Sequence, residues 1–242
     1  MFRTLNQHAL WAITLSAAGI LMVSMGARQS LGLFLSPLNS TTGLGVVSIS
    51  LAMAVGQFTW GAIQPLAGAV ADRYGPGRVL LGGLLLLAFG SAMTPFMSST
   101  TGLIVSLGLF SAIGSGAGSF SVLIAASSQR LPPAARAAAS GVINAGGSFG
   151  QFVFAPILQA LIQVLGWMGA MWSLAVITLA ATPLVRVLSR PIEKPPLHAA
   201  AEVGLWQSVR GAVGDGSYQL LNLGFFSCGF HIAFLVTHLP GE

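Results

Sequence analysis

Seven apolar runs of membrane length follow one another in this 242-residue chain, at about 9–36, 46–70, 79–97, 102–128, 137–163, 168–188 and 218–239. A bilayer core takes roughly 20 apolar residues of helix, so each run is long enough for one crossing. Charged residues make up only 6% of the chain and mean hydropathy is +0.83. A soluble domain would carry about a quarter charged residues. This chain cannot cover its own surface with polar groups, and lipid is the solvent it fits. The first run begins near Ala9 after a short polar head and has the look of a signal peptide. Six similar runs follow it, which favours a retained first span. At about 28 residues it is too long for one perpendicular crossing, so it is expected to tilt or to end as an outer turn before Pro37.

The charges between the runs set the orientation. With the N-terminus cytoplasmic, the inner segments hold Arg3, then Arg73 and Arg78, then Arg130 and Arg136, then Arg186, Arg190, Lys194 and Arg210. The outer connections, Pro37–Gly45, Ser98–Thr101 and the turn near Gly166, hold no Lys or Arg. That asymmetry follows the positive-inside rule. A net charge of +5 dispersed in this way speaks for topology rather than nucleic-acid binding. The single cysteine, Cys228, excludes an internal disulfide framework and a Cys-based zinc site. There is no HExxH spacing and no Gly-Lys-Ser/Thr phosphate loop, so no metal, cofactor or ATP-driven chemistry is expected. No grouping of nucleophile, base and acid suggests an enzyme.

The turn between the second and third runs reads Gly68-Ala-Val-Ala-Asp72-Arg73-Tyr-Gly75-Pro-Gly77-Arg78, and Asp72 is the only acid before Glu193. It resembles the cytoplasmic loop 2–3 motif of the major facilitator superfamily, Gly-x-x-x-Asp-Arg-x-Gly-x-x-Arg. Gly68, Asp72, Arg73, Gly75 and Arg78 fall on the pattern, while the usual basic run after the last glycine is reduced to Arg78. The resemblance implies a gate: the acid caps a neighbouring helix and pairs with basic residues across the inner face. The plainer reading is a turn whose charges only fix orientation. The resemblance also implies the fold, an all-α membrane bundle of the major-facilitator type. A six-helix N-terminal half would occupy 1–188 and a cytoplasmic linker 189–217. The first helix of the second half would occupy 218–242, making about seven of the family's twelve helices.

Glycine and other small residues concentrate in the fourth and fifth runs. Gly114, Gly118, Gly141, Gly146 and Gly150 are the candidates for close helix packing, because small residues let backbones approach where no hydrophobic drive acts between helices. The fifth-run spacing Ala139-x-Gly141-x-x-x-Ala145-Gly146-x-x-x-Gly150 is similar to a signature of monocarboxylate-transporter-like families. Within the linker, Leu205, Trp206, Val209 and Val213 share one face of a short helix suited to the inner leaflet.

Arg28 is the one basic residue left once the inner segments are assigned, and it lies well inside the first run. A lone arginine in a span costs several kcal/mol unless paired, hydrated or snorkelling. The stretch Gly26-x-Arg28-Gln29-Ser30-x-Gly32-x-Phe34 resembles the first helix of bacterial monocarboxylate and oxalate/formate-type carriers. One reading makes Arg28 the attractant for an anionic substrate; the other puts it at the outer interface, reaching headgroups. Gln57, Gln64, Asn144, Gln151 and Gln159 also lie in runs, either lining a pathway or tying helices together. Asn144 and Gln151, seven apart, share a face. His231, in the last run, is either a proton-coupling group or a buried, hydrogen-bonded histidine. No Asp or Glu lies inside any run. The pathway candidates are therefore Arg28, Gln29, Asn144, Gln151 and His231.

These readings converge on a secondary transporter of a small organic anion, monocarboxylate-like, moved by alternating access with or without a proton. The expected setting is a bacterial inner membrane, with the lipid bilayer as the other partner. Two alternatives stand beside it. One is an efflux carrier of the same superfamily, which would call for acids in the pathway. The other is a truncated, non-transporting half, either inert or a membrane interaction module.

Overall fold

The structure is a computed structural model that describes residues 7–189 and 205–238. The first span, α1, runs Gln7–Thr42. Of the two expectations for so long a run, it does not take the one of ending before Pro37. The chain tightens to 3-10 winding over Ser30–Phe34, and α-helix resumes at Leu35. Pro37 then stands in a first turn, where its missing N–H costs little.

The next spans are α2 (Val46–Tyr74), α3 (Pro76–Phe96) and α4 (Thr100–Ser128). The fourth is not one regular helix. It is π-wound over Ile104–Ser111 and broken at Gly118 and Ser119, where Ser119 is extended (φ −70°, ψ 163°). Gly114, Gly116 and Gly118 make this stretch a weak helix former. A continuous apolar helical stretch, Pro133–Leu188, follows. Gly166 divides it with φ 72° and ψ 170°, a conformation only glycine adopts readily. It therefore forms two spans, α5 (133–165) and α6 (167–188). In the expected linker, most of which lies outside the described residues, Leu205–Gly214 forms α7. The last helix, α8, is Gly216–His238.

Close glycine contacts show how the spans run. Gly146 of α5 faces Ala18 of α1, Gly150 faces Met22, and Gly26 faces Phe154, so α1 and α5 lie parallel. In α6, Leu184 meets Gly19 while Trp167 bonds Thr41, so α6 returns antiparallel to α1. Gly83 and Gly90 of α3 meet Ala117 and Ser111 of α4 in antiparallel order. Gly56 of α2 meets Gly108, and Ile63 meets Gly116, in parallel order. Consecutive spans thus alternate in direction through six crossings.

Of the glycines expected to pack, Gly114, Gly118, Gly146 and Gly150 do so. A methyl at Gly114 would strike the Leu87 backbone, one at Gly150 the Met22 backbone, and one at Gly118 would lie 2.6 Å from Ser24 Oγ. Gly141 departs from the expectation: among the described residues nothing lies within 4 Å of its missing methyl. It points to the outside of the bundle, a turn and a half before the Gly146–Gly150 contact.

Among the described residues, the connections expected on the inner side lie at one end. Gly77 abuts Ser189, and Leu131 and Ala135 flank Gln7 and Trp11. Arg73, Arg78, Arg130, Arg136 and Arg186 therefore share that end. The opposite end is tied by the indole N–H of Trp167 donating to Thr41 Oγ1 at 3.0 Å and that of Trp172 to the Ala92 carbonyl at 3.3 Å. The core lies where α1, α3, α4 and α6 meet, around Ala17, Ile20, Leu84, Leu123 and Met171. In contrast α2 is sparsely buried, with Val47, Leu51, Phe58 and Leu66 exposed.

Candidate functional site

The polar groups inside the bundle converge on Arg28. Its Nη2 donates to Gln57 Oε1 of α2, and its Nη1 donates to Gln29 Oε1 at 3.1 Å. Its guanidinium carbon lies 3.9 Å from the ring centroid of Trp60. Gln57 and Trp60 are three apart on α2 and so face the same way. Gln29 passes the connection on, donating its Nε2 to Gln151 Oε1 of α5 at 3.2 Å. One cation thus links α1, α2 and α5.

Gln57 lies eleven residues beyond the start of α2, about 16 Å along the helix at 1.5 Å per residue. An arginine serving the outer interface would turn its guanidinium to the headgroups. Here it is turned inward, beneath an indole and between two amides. Among the described residues no carboxylate pairs with it. Arginine has five N–H donors. Two are occupied by amide oxygens, which leaves three for an oxyanion and makes the amide bonds exchangeable for stronger, charge-assisted ones.

A cavity of about 40 Å³ adjoins the guanidinium. Its polar lining comes from Arg28, Gln57, Trp60, Ser91, Ser111 and Ser115, set among apolar groups of α1, α3, α4 and α6. The cavity is roomy enough for ordered water or a small polar group. The site offers a positive pole, hydroxyls and apolar walls, and it holds no metal-ligating cluster of three His, Cys, Asp or Glu among the described residues.

The expected site residues separate into three groups. Arg28, Gln29 and Gln151 are brought together. Asn144 is exposed, two turns below Gln151 on α5, and does not join them. His231 is exposed on α8 and has no bonding partner among the described residues. Trp60 was not among the candidates read from the sequence. Its spacing of three from Gln57 was the available signal, but aromatics are too common in apolar runs for that to single one out.

The turn between α2 and α3 holds the second candidate site. Gly75 has φ 91°, which allows α2 to stop and α3 to start one residue later at Pro76. Asp72, Arg73 and Arg78 are exposed, and Arg73 lies over Tyr74 with its guanidinium carbon 5.4 Å from the ring. Asp72 lines the wall of an open groove between α2 and the end of α4, opposite Ser121, Ala125 and Gln129. Gly68 lies on the same groove, and its missing methyl faces open space. Nearby, burial lowers the Arg130 pKa from its ordinary value, and Arg130 Nη1 donates to the Ala126 carbonyl at 2.6 Å.

Comparison with known proteins matches this architecture. The chain is 31% identical to human monocarboxylate transporter 11 over 238 residues, covering 92% of this chain and 48% of that one. It is 28% identical to rat monocarboxylate transporter 13 over 240 residues, covering 95% and 53%. The chain spans about half the length of the curated relatives it matches. Among solved structures, an auto-inhibited POT family peptide transporter superposes with a TM-score of 0.62 at 19% identity, covering 96% of this chain and 51% of that one, which shows the shared fold. Residues 17–241 match the Major Facilitator Superfamily, and this multi-pass membrane chain belongs to that family.

Proposed function

We propose that the whole protein is a secondary transporter that moves a small organic anion by alternating access, and that Arg28 receives the anion. The observation that carries this reading is a cation deep in the bundle with no carboxylate partner among the described residues. It is held by replaceable amide oxygens and stands beside a small cavity. The relatives' description as monocarboxylate transporters supports the same class of cargo. The exposed Asp72, on an open groove between glycine-bounded helix ends, supports a gating role for Gly68, Asp72, Arg73, Gly75 and Arg78 at the inner face. We place that face in the cytoplasm of a bacterial cell, N-terminus included, from the arginines gathered there. The first six spans carry no carboxylate away from the inner turn. A proton that accompanies the anion across this half must therefore ride on another group, such as the cargo's own carboxylate.

Uptake of labelled short monocarboxylates by cells expressing the whole protein tests the reading. Arg28→Ala is expected to abolish uptake while the protein still reaches the membrane in normal amount. Undiminished uptake in that variant would remove the anion site.

A further inference from the structure

Gln29 stands between two partners. Its Oε1 accepts from Arg28 Nη1 at 3.1 Å, and its Nε2 donates to Gln151 Oε1 of α5 at 3.2 Å. The direction of this chain is forced. Arginine carries donors only, so Gln29 must turn its oxygen to the guanidinium and its amide nitrogen away from it. The Gln151 oxygen receives that nitrogen. On the other side, Arg28 Nη2 donates to Gln57 of α2, and the Trp60 ring covers one face. A ring over a planar group leaves it free to turn in its own plane. Two amides, one at each terminal nitrogen, stop that turn; one alone leaves a pivot.

The Gln29–Gln151 bond is not needed to hold α1 and α5 together. Gly150, the neighbour of Gln151, has its missing methyl against the Met22 backbone, and that of Gly146 lies 2.8 Å from the Ala18 carbonyl oxygen. Backbone contact sets the spacing of these helices, and one neutral hydrogen bond adds little to it. The consequence of the bond falls instead on the Gln29 amide. Gln29 is only half-buried, so without Gln151 its amide has other rotamers and water to bond, and Arg28 Nη1 loses a fixed support.

We propose that Gln151 is a positioning residue for the anion site: it fixes the Gln29 amide, and through it the plane in which Arg28 presents its remaining donors. Donors ordered in advance bind an anion without first losing rotamer freedom. The contribution of Gln151 therefore falls on affinity and not on the rate of crossing. This inference rests on the reading of Arg28 as the anion site.

Uptake of labelled formate, acetate and lactate is measured against concentration in liposomes containing the whole protein. The wild type is compared with Gln151→Met, Gln29→Met, the double variant and Arg28→Ala. Methionine keeps the length of glutamine and lacks its amide. Gln151→Met is expected to raise the half-saturating concentration of a transported acid about three- to tenfold, the scale of one lost hydrogen bond, with the maximal rate and the melting temperature unchanged. Gln29→Met should raise it at least as much. The double variant should match Gln29→Met alone, because Gln151 then has nothing to act through. An unchanged half-saturating concentration in Gln151→Met overturns the positioning role, and so does a fall only in maximal rate or melting temperature. An effect of Gln151→Met that persists in full beside Gln29→Met overturns it too. If Arg28→Ala loses uptake in any of those cases, the anion site itself stands. Undiminished uptake by Arg28→Ala, or a wild type that moves none of the three acids, overturns both readings together.

Discussion

Replacing Arg28 by glutamine separates a functional arginine from a structural one, because the structure puts opposing terms on its stability. An arginine near the centre of a span costs about 2.5–3.5 kcal/mol on insertion scales. Against this stand two hydrogen bonds from a charged donor, to Gln57 and Gln29, at about 1.5–3 kcal/mol each. The Trp60 contact adds about 0.5–2 kcal/mol. Arg28→Gln removes the buried charge, keeps one amide donor within the polar cluster and gives up the stacking. The lost contacts outweigh the relief of the buried charge, and with one amide bond retained the mid-range net loss is about 2 kcal/mol. At roughly 2–4 °C per kcal/mol, the melting temperature of the purified protein should move by less than about 8 °C. Anion uptake, by contrast, should fall at least a hundredfold, because the amide offers neither charge nor a fork of donors. Thermal unfolding in detergent, read alongside uptake by the whole protein, checks both parts. Collapse of folding in Arg28→Gln, or a stable variant with normal uptake, would refute the reasoning from opposite sides.

Other outcomes follow from the contacts. Gly150→Val places a side chain against the Met22 backbone. It should cost at least about 1–3 kcal/mol and lower the yield of monodisperse protein in size-exclusion chromatography, whereas Gly141→Val, facing open space, should not. Gly75→Ala puts a methyl at φ 91° and should cost about 1–3 kcal/mol, measured as a lower melting temperature. Asp72→Asn removes an exposed charge and should leave the melting temperature unchanged while slowing transport; equal rates would leave the turn only a topological role. With Cys228 replaced, a single cysteine at Tyr74 should react with impermeant thiol reagents only from the cytoplasmic side, and labelling from outside would overturn the orientation.

The lipid-spanning character, the number of early spans, and the clustering of arginines at one end were legible in the sequence because each depends on local composition. A run of 20 apolar residues has one stable form in hydrocarbon, a helix that satisfies its own backbone. Glycines at Gly75 and Gly166 marked turns for the same local reason. The loop motif was equally legible, being contiguous in sequence. What α1 and α4 do internally was not. Gly114, Gly116 and Gly118 weaken a helix and Pro37 can stand in a first turn, but these local traits do not say where the chain winds to π or where it breaks.

The candidate site divides along the same line. Composition alone made Arg28 conspicuous, since a cation in an apolar run demands compensation wherever it sits. Only the tertiary structure decided what compensates it: Gln57 and Trp60 from another helix, Gln151 through Gln29, and no acid among the described residues. It also separated Asn144 and His231, equally polar in sequence, from the cluster that Gln151 joins. The reason is physical. Hydrophobicity is a property of each residue and sums along the chain, whereas a hydrogen bond or a ring over a guanidinium depends on distances of 3–4 Å that arise only when separate helices have packed.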